Sequence, residues 1–317
     1  MNIQKCAIIG CGGVGATTAF TLVESGLFNE LVLIDIDRKK AEGEAMDIGH
    51  GVPFTSPVNI YAGDYSDLED AYLVIITAGA NQAPGETRTD IAEKNAKVFR
   101  QIIPSITKYN QECILLIVTN PVDVLTRFTL ELSGFPSERV IGSGTVLDTA
   151  RLKYLLGNQL SIDSRNVHAF MIGEHGDSEL AAWSGARVAS LPIEEYCRQH
   201  ECSKENLKLQ EIYENVRDSA YQVIERKGST YYAVAMALRR IAQALVRDER
   251  SILTVSHLPN KRYGLPDVCI GLPAIVGREG IADRIEIALS DEERKQLQDS
   301  AEKLNEILRK VQSDPIN

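Results

Sequence analysis

Cysteine pairs at metal-binding or redox spacing are missing from this chain of 317 residues. Its six cysteines, at positions 6, 11, 113, 197, 202 and 269, form no CxxC and mostly sit in apolar runs. They read as reduced, buried thiols, which argues against a disulfide framework or a cysteine-bound metal cluster. Long hydrophobic runs are missing too, and 44% hydrophobic with 25% charged residues excludes the membrane, collagenous and disordered classes. There is no surplus of positive charge: the formal net charge is −10, with Lys and Arg interspersed. That leaves little to attract nucleic acid or an anionic membrane, so an anionic ligand has to meet local cations. No basic segment or cleavage site precedes the first strand-like run, and the expected compartment is the cytoplasm. A GxxxxGK[ST] loop is absent, which argues against a nucleoside triphosphate. Neither a repeat nor a Gly/Ser/Pro linker interrupts the chain, so its domains are expected to pack tightly.

What is present is an alternation. Apolar runs at 5–10, 30–36, 58–63, 72–79, 114–120 and 139–144 are separated by helical patterns at 14–25, 39–48 and 90–109 and by another after residue 120. Strands that are apolar on both faces and separated by helices predict a doubly wound parallel sheet. After about residue 145 the rhythm changes: helical stretches at 147–160 and 204–249, proline- and glycine-broken strand runs at 251–289 that look antiparallel, and a charged amphipathic helix at 290–312. The expected organisation is therefore α/β, with a Rossmann domain over 1–145 and an α+β substrate domain over 146–317.

Between the first strand and the first helix lies GCGGVG, in which Gly10, Gly12 and Gly15 fit GxGxxG. Such glycines permit a tight turn and close approach of the backbone to a pyrophosphate at the helix N-terminus. The pattern gains weight from Asp35, twenty residues after Gly15 and at the end of the second strand. A carboxylate there accepts from a ribose diol and repels a 2′-phosphate, which favours NAD over NADP.

In LDTARLK, Asp148 and Arg151 share a helix face, whereas Lys153 points elsewhere. Alone, that pairing is equally a structural ion pair. With His175 of IGEHGDSE it becomes a candidate site, in which Asp148 orients the imidazole and Arg151 grips a substrate carboxylate. Glu174, Asp177 and Glu179 surround His175, but no second histidine lies nearby at ligand spacing, so no metal is expected. The polar loop AGANQAPGETRTD (78–90) follows the fourth strand, where it can close over a ligand and bring Arg88 with it.

In order along the chain, GCGGVG, TAGANQAPGETR, VTNPVD, IGSGTVLDTAR, IGEHGDSE and KGSTYY resemble motifs of the L-lactate dehydrogenases of the lactate/malate dehydrogenase family, bacterial type. This resemblance runs from end to end. It implies an NAD-dependent oxidoreductase that transfers a hydride reversibly between NADH and pyruvate to give L-lactate. It further implies His175 as acid/base, Asp148 as its partner, Arg151 on the substrate carboxylate, Arg88 polarising the carbonyl, and Asn120 and Thr230 lining the substrate. Val14, Asp35, Lys40, Tyr65, Gly79, Ala80, Val118, Asn120 and Ser143 are implied as NAD contacts.

Malate dehydrogenases of the family carry an arginine where this chain has Gln82. Enclosing the second carboxylate of oxaloacetate without a counter-charge is costly, so glutamine favours pyruvate. Malate and bulkier 2-hydroxy acids remain the alternative substrates. A redox-sensing NAD-binding protein is the non-enzymatic alternative, but it has no use for Arg88, Asp148, Arg151 and His175 together. The resemblance also implies a homotetramer. In members activated by fructose 1,6-bisphosphate, an arginine and a histidine occupy the positions of Lys153 and His168, and the lysine here offers a point charge in place of a fork.

Overall fold

The computed structural model describes residues 1–80, 85–200 and 208–313. The six sequence-predicted parallel strands form as β1 (Asn2–Ile9), β2 (Glu30–Ile34), β3 (Asn59–Ala62), β4 (Ala71–Ile76), β5 (Ile114–Ile117) and β6 (Val140–Gly142). Their order is β3-β2-β1-β4-β5-β6, all parallel, with Ile8 opposite both Leu33 and Ile75. Because successive side chains alternate across a strand, Ala7, Ile9, Val32, Ile34, Val74, Ile76, Leu115 and Ile117 enter one core. Cys6, Ile8, Leu31, Leu33, Leu73, Ile75, Ile114 and Leu116 enter the other. Complete burial on both faces is the reason these runs read as continuously apolar.

The connecting helices are α1 (Gly13–Ser25), α2 (Arg38–His50), α3 (Arg88–Thr107) and α4 (Val122–Ser133). In α3 the buried residues Ile91, Ala92, Asn95, Ala96, Phe99, Ile102, Ile103 and Ile106 recur at helical spacing, which makes the apolar stripe that meets the sheet. Thr87 caps α3, its hydroxyl accepting from the Asp90 N–H while the Asp90 carboxylate accepts from the Thr87 N–H. That box starts the helix at Arg88, two residues before the sequence-predicted start, and moves Arg88 from the loop to the first turn.

The second half supplies α5 (Val146–Leu160), β7 (Val167–His168), β8 (Met171–Ile172), β9 (Leu180–Ala181), β10 (Arg187–Val188), β11 (Leu191–Pro192) and α6 (Ile193–Gln199). It continues with α7 (Leu209–Lys227), α8 (Tyr232–Val246), β12 (Ser251–Leu253), β13 (Ser256–His257), β14 (Ile270–Gly271), β15 (Ala274–Gly277), β16 (Gly280–Arg284) and α9 (Asp291–Ser313). A third core joins α5, α6 and α7 to the small β11-β10-β7 sheet. Residues 161–200 carry no sequence-predicted element, since two-residue strands are too short to show alternation. The strands of 251–289 are antiparallel, as expected. One pair is not separate from the first half: β13 pairs with β6 through Ser256 and Gly142, so β13 and β14 extend the main sheet. Residues of α8 join α1 and α2 in the core on one face of that sheet, while residues of α9 join α3 and α4 in the core on the other.

The chain leaves β1 toward β2 on one side and returns through β4 on the other. At this reversal of strand order the loops at the carboxyl ends of β1 and β4 diverge and open a crevice.

Candidate active site

The turn between β1 and α1 is shaped by close approach. Gly10 has φ +100°, and a Cβ there would lie 2.5 Å from the Ala78 nitrogen; one on Gly15 would lie 1.9 Å from the Gly10 carbonyl oxygen. By contrast, a Cβ on Gly12 would meet nothing within 4 Å. Gly12 is also the N-cap of α1 and supplies no side-chain cap, so the first N–H groups of the helix point into open space suited to an anion. Asp35 stands at the end of β2, where its Oδ2 accepts from the Cys11 N–H (2.6 Å) and its Oδ1 from the Asp37 N–H (2.9 Å). Each oxygen keeps a lone pair for a diol. The donor set and the cradle fit a dinucleotide with an unphosphorylated ribose.

From this turn a cavity of about 460 Å³ runs along the carboxyl ends of β4 and β5. Val14, Gly79, Ala80, Val118, Asn120 and Thr230 line it, together with Tyr231. Gly79 is packed so tightly that a Cβ would lie 2.3 Å from the Thr119 methyl. Buried Asn95 of α3 fixes both lips: its Oδ1 accepts from the Ala80 N–H (2.7 Å) and its Nδ2 donates to the Asn120 carbonyl (2.7 Å). Sequence reasoning missed Asn95, although a lone amide on an apolar helix stripe is a signal. Lys40 is exposed on α2 and Tyr65 half-buried after β3, and Ser143 follows β6; none of the three lines this cavity.

A second, smaller cavity of about 150 Å³ adjoins the first and shares Ile91, Asn120 and Ile224 with it. Here Asp148, Arg151 and His175 come together. His175 Nδ1 lies 2.6 Å from Asp148 Oδ2, and Arg151 Nη1 donates to Asp148 Oδ1 at 2.8 Å. Burial pushes the Asp148 carboxyl upward, but His175 and Arg151 outweigh it, and Asp148 is held below the usual carboxylate range. Burial pulls His175 down, the Asp148 charge and hydrogen bond overcome that, and the imidazole is raised to about 9. With Nδ1 on Asp148, Nε2 is left for the cavity. Asp148, His175 and Glu179 also offer ligand atoms within 4.8 Å of one another. A metal ion there would have to displace Arg151 or the imidazole from Asp148, so the donor set fits a proton-handling group better.

Arg88 reaches the same cavity from α3. Its Nη1 donates to Glu174 Oε1 at 2.5 Å, and its Nε lies 3.4 Å from Asp177 Oδ2. A Cβ on Gly176 would lie 2.0 Å from Arg88 Nη1, so only glycine lets the guanidinium approach. Sequence reasoning kept Arg88 for the substrate carbonyl and missed this pairing. It also missed Asp123, buried on α4, whose Oδ2 accepts from the His175 N–H at 2.8 Å; burial raises its carboxyl to about 6. Tyr221 of α7, likewise missed, donates to Asp177 Oδ1 at 2.9 Å. Lys153 is half-buried on α5 and His168 exposed on β7, outside both cavities. Gln82 lies outside the described residues.

This geometry has close counterparts. The sequence models for the lactate/malate dehydrogenase NAD binding domain and alpha/beta C-terminal domain match residues 4–142 and 145–314. An L-lactate dehydrogenase of Acetivibrio thermocellus is 55% identical over 308 residues, covering 97% of each chain. L-lactate dehydrogenase 1 of Clostridium acetobutylicum is 52% identical over 96% of this chain and 97% of its own. The crystal structure of MGS-M5, a lactate dehydrogenase from a Medee basin deep-sea metagenome library, superposes with a TM-score of 0.94 at 44% identity, covering 98% of this chain and 100% of that one. With two adjoining family models spanning nearly every residue and a dinucleotide crevice opening onto an Asp–His–Arg cluster, the chain belongs to the lactate/malate dehydrogenase family.

Proposed function

We propose that this protein is a cytoplasmic enzyme that interconverts pyruvate and L-lactate with NAD. The observation that carries this reading is the Asp148–His175 pair with Arg151 beside it, in a cavity that shares its wall with the dinucleotide crevice. The curated relatives support it, as do the buried free thiols of Cys6, Cys11, Cys113, Cys197 and Cys269.

NAD, when bound, supplies the hydride carrier. Gly12, the start of α1 and Asp35 would hold it, and Ile91 and Ile224 are apolar residues on the wall shared by the two cavities. Arg151 grips the substrate carboxylate through N–H groups not committed to Asp148. In pyruvate reduction, His175 Nε2 gives its proton to the carbonyl oxygen as hydride arrives at the same carbon. In lactate oxidation, the neutral imidazole takes the hydroxyl proton as hydride leaves. Asp148 stabilises the imidazolium throughout. Arg88 turns to the carbonyl by giving up Glu174 or Asp177, and Asn120 and Thr230 border the reacting carbon.

The test is NADH oxidation with pyruvate against oxaloacetate: pyruvate gives the higher kcat/KM, and a preference for oxaloacetate overturns the reading in favour of malate. Gln82 is the proposed discriminator. Gln82→Arg moves the preference toward oxaloacetate, because the new cation pairs with the second carboxylate and stands unpaired over pyruvate. A parallel fall of both kcat/KM values removes Gln82 from that role.

The same reading takes the working assembly to be a homotetramer, in which Lys153 and His168 meet their symmetry mates and bind the phosphates of fructose 1,6-bisphosphate. Lys153 supports this: it is half-buried, its burial lowers the ammonium pKa, and no ion pair holds it among the described residues. An arriving phosphate would relieve that cost. The bisphosphate lowers the pyruvate KM at sub-saturating substrate. Lys153→Glu abolishes the effect; a flat titration of the unmodified enzyme overturns it.

A further inference from the structure

Glu179 has no part in the mechanism above, yet it lies in the catalytic cavity. Only 3% of it is exposed. It lines the cavity that holds Arg151 and His175, and a carboxyl oxygen of Glu179, one of Asp148 and a ring nitrogen of His175 lie within 4.8 Å of one another. Two buried carboxyls this close favour one keeping its proton. Asp148 cannot be the one, because His175 Nδ1 and Arg151 Nη1 both donate to it.

We propose that Glu179 is a positioning residue: a neutral carboxylic acid whose O–H donates to Asp148 and completes the set of donors that holds Asp148 ionised and aimed at His175. The proposal rests on the assignment of His175 as the acid/base. The groups facing Glu179 are Asp148 and Arg151 on α5, His175 on its own loop, and Tyr213 and Arg217 on α7. Burial raises its carboxyl most, the Asp148 charge adds to this, and the two together outweigh His175 and Arg151, so that it reaches about 9. The Tyr213 hydroxyl donates to the Glu179 carbonyl at 2.7 Å, which fixes the backbone from which the side chain projects.

The consequence is a charge balance. With Glu179 neutral, Arg151 and protonated His175 face the single negative charge of Asp148, leaving one positive charge for the carboxylate of pyruvate. An ionised Glu179 would cancel that charge and oppose the substrate. The alkaline side of the reaction therefore reports two protons. As pH rises through about 9, both the imidazolium and the carboxylic acid are lost, and they titrate as a coupled set.

The experiment compares the full-length enzyme with Glu179→Gln, which keeps the volume and an N–H donor but cannot ionise. In the wild type, log kcat/KM for pyruvate reaches a limiting alkaline slope of two protons; in Glu179→Gln the slope falls to one. In parallel, infrared difference spectra of protein labelled with carbon-13 glutamate show the carbonyl band of a protonated acid at neutral pH. That band disappears at alkaline pH and is missing from the variant. Identical pH profiles mean that Glu179 gives up no proton on the alkaline side, and an alkaline limb moved to lower pH in the variant means that Glu179 was already ionised; either overturns the proposal. So does absence of the band, which needs no variant to fold. A wild type that shows the band but does not oxidise NADH with pyruvate refutes the assignment of His175, not the state of Glu179.

Discussion

Replacing His175 with Ala lowers the pyruvate turnover number by a factor on the order of 10²–10⁴, the usual contribution of a positioned general acid. The expectation follows from geometry. The imidazole is held by a 2.6 Å bond to Asp148 and raised to about 9 by that partner against the opposing effect of burial, so near neutrality it carries the proton that pyruvate reduction consumes. The sign follows from the raised value: proton donation is fully available below it and declines as pH rises through it, while lactate oxidation gains over the same range. His175 does not line the dinucleotide crevice, so NADH binding survives, as fluorescence titration of the variant would show. Unchanged turnover would remove His175 from the chemistry.

Arg151→Lys raises the pyruvate KM about 10- to 100-fold, equivalent to losing ~1.5–3 kcal/mol from a hydrogen bond to a charged group. The guanidinium serves two anions at once: one nitrogen bonds Asp148 at 2.8 Å, and the others remain for the substrate. An ammonium is a point charge that cannot hold both in fixed geometry. Steady-state kinetics separates the two losses. The substrate contact is read in KM, whereas any drop in kcat measures how far Asp148 depends on Arg151. An unaltered KM would place the carboxylate elsewhere.

Much of this was legible in the residues alone, for local reasons. Both-face apolarity of runs such as 72–79 marked parallel strands, and the 3.6-residue stripe of α3 marked a helix on the sheet. GCGGVG with Asp35 marked the crevice because Gly10 takes φ +100° and Gly15 packs against the Gly10 carbonyl within the turn itself. The motif order carried the family. Other features left no local trace: the strands of 167–192 are too short for a period, and β13 and β14 give no sign that their partner is β6.

The amino-acid sequence by itself determined the layered α/β sheet, the dinucleotide turn and the identity of the residues able to move a proton or grip a carboxylate. Those depend on side-chain period, on backbone freedom at glycine and on the chemistry of single side chains. Only the tertiary structure decided which of them share a site and in what state. His175 meets Asp148 across 27 residues, Asp123 across 52 and Arg88's partner Glu174 lies 86 residues from it. The charge of a buried acid such as Glu179 is set by what it is desolvated against, and burial and neighbours exist only once the chain has closed on itself.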